Sequence, residues 1–166
     1  AAPFELHHHE PQLGQRLAAS EEFSRSIALH GASDPPRPEL YLERARALVP
    51  LGGPYLDEAI RGLDEGLARL GDPVALQLEA IDLDLRRKAY DAALERLDRI
   101  AERSEQKEPW LERRVEILDL AGREEEARLA WAQRVAAATG PVATVARVTG
   151  ALAVPEGGAS EAQEGT

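Results

Sequence analysis

The chain has 166 residues, a formal net charge of −10 and no cysteine. That charge argues against a nucleic-acid backbone or an anionic membrane as the principal partner, and the missing cysteines exclude disulfides and thiolate metal sites. No apolar run approaches the roughly 20 residues a membrane-spanning helix needs, so a soluble chain is expected; with aromatics at 4%, Ala and Leu must fill most of its core.

Residues 1–9 show no helical period and end in His7-His8-His9. The Ala-Ala-Pro start without Met resembles the flank left by signal-peptide cleavage, so an extracytoplasmic (periplasmic or secreted) location is the expectation. Residues 10–37 form an N-terminal helix and a Pro-rich linker. Leu13, Leu17, Phe23, Ile27 and Leu29 predict a helix over 11–30, Gly31 stops it, and Asp34-Pro35-Pro36-Arg37-Pro38 cannot stay helical. Three helix pairs are expected over 38–139. Their predicted helices are 38–49 with 55–69, 73–86 with 90–103, and 108–120 with 123–138. Pro50 through Pro54, Gly122 and Gly140-Pro141 punctuate them, while Asp72 is read as an N-cap with Pro73 at the first helical position. Val142, Val145, Ala146 and Val148 predict a short capping helix within 140–154. The last stretch, 155–166, has the composition of a disordered acidic tail.

One block recurs every 34 residues. Ala59, Ala93 and Ala127 share that spacing, and Leu63, Leu97 and Trp131 follow each by four residues. A fixed period of this length marks a helical array whose units bury their apolar faces against their neighbours. A methyl side chain lets two helix axes approach near 8 Å, so the three alanines are read as contact points and the three large residues as core. Trp110 is expected to be half exposed. Glu124-Glu125-Glu126 and the Asp82/Asp84 pair are read as solvated helix faces.

These residues resemble the tetratricopeptide repeat family. The alanines match the small position of its second helix, Gly122 its turn glycine and Tyr90 the aromatic after the turn; Ala47, Ile81 and Val115 match more loosely, and Leu111 stands where the family often has Trp. Arg114 and Arg134 depart from it by standing where a buried residue is usual. The resemblance covers about residues 38–138 and implies an all-α, helical-repeat solenoid of three antiparallel helix pairs, with an N-terminal helix and a short C-terminal cap.

It also implies a non-catalytic interaction scaffold that holds a protein or peptide in a concave groove lined by the first helix of each pair. By register those residues are Tyr41, Arg44 and Leu48, then Leu78, Asp82 and Leu85, then Glu112, Glu116 and Asp119. Aliphatic at one end and acidic at the other, they suit an amphipathic or basic peptide. A clamp for acidic C-termini is disfavoured, because the chain has no Asn and only Lys88 and Lys107 as lysines. No nucleophile, base and stabiliser assemble, so no enzyme and no cofactor are expected. Two alternatives stand beside the scaffold. His7, His8 and His9, flanked by Glu5 and Glu10, suit Zn²⁺, Cu²⁺ or Ni²⁺ on an extended backbone, and the end faces of the array suit self-association as a homodimer.

Overall fold

The computed structural model describes residues 10–31 and 33–139, so His7, His8 and His9, the expected cap at 140–154 and the tail at 155–166 lie outside the described residues. Within them the regular structure is entirely helical: α1 (Glu10–Leu29), α2 (Pro38–Leu48), a short 3-10 turn (Val49–Leu51), α3 (Pro54–Leu70), α4 (Val74–Arg86), α5 (Tyr90–Arg103), α6 (Glu108–Leu120) and α7 (Glu124–Thr139). Proline opens α2, α3 and α6 in the first turn, where its missing N–H is not needed. Gly71 ends α3 in the left-handed region at φ 73°, the conformation glycine adopts without steric penalty. Asp72 is not the cap of α4. It too has positive φ, 71°, and Pro73 takes the cap position. The Asp72 carboxylate instead accepts from Gln77 Nε2 and pairs with Arg103 at 2.9 Å.

Each helix packs on the next in chain order, and α2 also touches α4. Helix α4 is therefore covered on two sides. Its Leu76, Ala80 and Leu83 join one apolar cluster with Ile27, Tyr41, Leu48, Ile60 and Leu63, while its Ile81 joins a second with Leu97, Ile100, Ile117 and Leu118. The second helices share one burial template at the 34-residue offset. Ala59, Ile60 and Leu63 are buried on α3, and Ala93, Leu94 and Leu97 on α5.

The template fails on α7. Ala127 is buried, but Trp131 is 51% exposed, so the expectation of a core tryptophan is corrected. Leu63 is covered by α4 and Leu97 by α6; among the described residues no helix follows α7. The Arg134 guanidinium lies 5.0 Å from the Trp131 ring centroid and shields part of it.

A second periodicity is ionic. Arg46–Glu79, Arg87–Asp57, Arg113–Asp82 and Arg123–Asp91 join residues 30 to 33 apart in the sequence, about one repeat length. Exposed pairs of this kind contribute roughly 0–1 kcal/mol each. They align neighbouring units more than they stabilise them.

Candidate binding groove

The residues expected to line one groove do not converge. Tyr41 is fully buried and Leu48 is 2% exposed, so both are core side chains and neither is on the surface. The Tyr41 ring lies under the Arg44 guanidinium, 5.2 Å from its centroid, and against Gly66. Arg44 is mostly buried, donating to the Gly62 carbonyl at 2.9 Å and the Glu65 carboxylate at 2.8 Å. Leu85 is half-buried against the second apolar cluster, and Leu78 is exposed on α4. The acidic end is already answered by arginines. Asp82 and Glu116 both pair with Arg113, at 2.6 and 2.9 Å, and Glu112 with Arg134 at 3.4 Å. Asp119 is exposed at the end of α6. A basic partner would have to displace those arginines.

A different set of positions forms a series. Gly62 on α3, Arg96 on α5 and Ala130 on α7 stand 34 residues apart, each on a helix face that looks across to a neighbouring element. Around Gly62 the cavity is small, about 230 Å³, and Arg44 fills the space; an added Cβ at Gly62 would lie 2.8 Å from Arg44 Nη2.

At the second position Arg96 itself fills the space. Its Nε donates to Asp84 at 2.8 Å, and its Nη1 donates to Asp64 at 2.7 Å and to Gln77 Oε1 at 3.4 Å. Asp84 also accepts from Arg87 Nη2 at 2.8 Å and Nε at 3.1 Å. Asp84 is 0% exposed, so its reading as a solvated face is corrected. Buried charges persist only when paired and hydrogen-bonded, and Asp84 has three N–H donors. Burial pushes the Arg96 guanidinium down, but the hydrogen bonds and charges of Asp64 and Asp84 outweigh it and hold its pKa above the usual value.

One repeat further on the chemistry changes. The counterpart of Gln77 is Leu111, that of Asp84 is Leu118 and that of Arg96 is Ala130. The counterpart of Asp64 is Asp98, which is answered from α6 by Arg114. Arg114 thus occupies a half-buried place beside the groove, pulled aside by Asp98. Removal of the central guanidinium leaves a cavity of about 550 Å³ between α5, α6 and α7. Leu97, Trp110, Leu111, Leu118, Leu129 and Ala130 line it, with Lys107, Asp98 and Glu126 at its edges. Trp110 is half-buried, as expected, and its Nε1 is buried with no hydrogen-bond partner. The volume and apolar lining fall within the range of ordinary binding clefts.

Composition does not point to this groove. Aligning columns 77/111, 84/118 and 96/130 at the 34-residue offset does, because each changes from polar to apolar. No cluster of potential metal-ligating side chains occurs among the described residues. In comparisons with known proteins, no family model, no curated protein and no solved structure matches this chain.

Proposed function

We propose that the chain is a non-catalytic protein-interaction module. In this reading it is a solenoid of three helix pairs behind α1, of the tetratricopeptide type, and it receives an apolar helical segment in the groove between α5, α6 and α7. One observation carries it: the position filled by a hydrogen-bonded arginine in the second unit is Ala130 in the third, over a floor of Leu111 and Leu118. An amphipathic helix laid in such a groove buries its apolar stripe and leaves its polar side to water. The 34-residue period and the near-match of every helix to the repeat pattern support the architecture.

A displayed library of 12-residue peptides tests the reading, selected on wild type and on Ala130→Arg, which restores the side chain found at the same position one unit earlier. Peptides with apolar residues at helical spacing should be enriched on wild type and lose at least tenfold in binding on the variant. Peptides held equally by both would overturn it.

Self-association is a second reading, favoured by the exposure of Leu120, Leu129, Trp131 and Val135 on α6 and α7. Light scattering of wild type against Trp131→Glu tests it, a dimer lost in the variant being the expected result.

A further inference from the structure

We infer that the groove between α5, α6 and α7 is occupied by the chain's own residues 142–154, so that an external helix competes with an internal one. The inference rests on the groove reading above and names the occupant of that site.

Three observations select this segment. The first is chemical match. Residues 142–154 contain Val142, Val145, Val148, Leu152 and Val154, and Arg147 is their single charged side chain. The groove floor is aliphatic and aromatic, and two carboxylates, Asp98 and Glu126, stand at its edge to meet one cation. The hollows on the opposite side of α7 are rimmed by charge instead. Arg128, Glu124 and Asp119 surround one, and Arg134, Glu112 and Glu108 the other. A nearly uncharged segment fits the first surface and not the other two.

The second observation is length. The α7 wall of the groove runs from Glu126 to Ala137, about 17 Å at 1.5 Å per residue. Thirteen helical residues span about 20 Å. The third is connection. The wall ends at Ala137, two residues before α7 does, and Gly140-Pro141 follows immediately, a pair that breaks the helix and allows the chain to reverse. A tether this short gives a millimolar effective concentration, which a second copy at micromolar concentration does not match.

The absence of native cysteine makes the test clean. In the full chain, Leu129→Cys is paired with Val148→Cys. The control pairs Val148→Cys with Glu95→Cys, the same position one unit earlier. Mild oxidation should give an intramolecular disulfide at least tenfold faster in the first pair than in the control. Equal rates would show random collision of a tether and overturn the inference. Disulfide-linked dimers in place of monomers would also overturn it and assign the groove to a second copy.

A binding measurement completes the test. The probe is a fluorescent synthetic peptide of residues 141–155, titrated into wild type and into full-length Val145→Asp/Val148→Asp. If the internal segment fills the groove 90–99% of the time, freeing it raises the apparent affinity about 10- to 100-fold, and adding Ala130→Arg to that variant abolishes binding. Equal affinity for both chains overturns the inference even if the disulfide forms. The groove reading is judged separately by the library selection: apolar peptides lost on Ala130→Arg leave it standing when the internal occupant fails.

Discussion

Asp84→Asn is the sharpest perturbation of the network that separates the second unit from the third. The wild-type carboxylate is 0% exposed and accepts from Arg96 Nε at 2.8 Å and from Arg87 at 2.8 and 3.1 Å. An amide of the same shape keeps one acceptor oxygen and turns an N–H₂ group towards a guanidinium, donor against donor. Removing one partner of a buried ion pair costs about 3–5 kcal/mol. Here Arg96 retains Asp64 and Arg87 retains Asp57. The low end applies, about 3 kcal/mol. With a urea slope of about 2 kcal/mol/M the unfolding midpoint should fall by about 1.5 M.

The triple variant Gln77→Leu/Asp84→Leu/Arg96→Ala copies the third unit's column into the second. It removes both buried charges together, leaving Asp64, about half exposed, to water. Apolar replacement of a whole buried network is often neutral or stabilising, so the triple variant should unfold at higher urea than Asp84→Asn. Urea titration followed by tryptophan fluorescence reads both. A loss below about 0.5 kcal/mol for Asp84→Asn, or a triple variant less stable than the single one, would refute the reasoning about buried pairs.

Four further outcomes follow from the packing and the charges. Gly66→Ala should lose about 2 kcal/mol, since its Cβ would meet the buried Tyr41 ring at 2.8 Å and Leu76 at 2.9 Å; an unchanged melting midpoint would contradict the close approach. Leu97→Ala should cost about 2–5 kcal/mol and Trp131→Ala, at the same register position but half exposed, below about 1 kcal/mol, a contrast that denaturant titration reads directly. Ala93→Leu should cost about 1–3 kcal/mol by overpacking, seen as a lower melting temperature. Finally, the Arg123 hydrogen bond, opposed by a small desolvation and aided by the charges of Arg123 and Arg114, lowers the Glu126 pKa. Its contribution is present above the unfolded glutamate value and lost as pH falls through the lower folded one. Carboxyl NMR titration should place Glu126 below ordinary glutamates, and Arg123→Gln should return it to their range.

Much of the local architecture was legible in the chain. Every predicted helix boundary lies within one residue of the observed one, because apolar periodicity and Gly/Pro punctuation act over a few residues. The buried alanines were legible for the same reason: Ala59, Ala93 and Ala127 recur at a fixed offset. What misled was facing. Tyr41 and Leu48 were turned outward by family register, yet α1 and α4 both pack near α2 and enclose them. Asp84 reads as a surface carboxylate until Arg96, 12 residues away, and Arg87 are seen to close on it.

By itself the sequence determined the helices, their order and their 34-residue register, since each depends on interactions within a turn or two of backbone. Only the tertiary structure decided which side chains are core, which charges are buried and where an open surface remains. Those depend on what lies across from a residue. Ala130 is a small residue on a helix in the sequence; opposite Leu118 and Leu97 it becomes the gap in a wall that Arg96 closes one unit earlier.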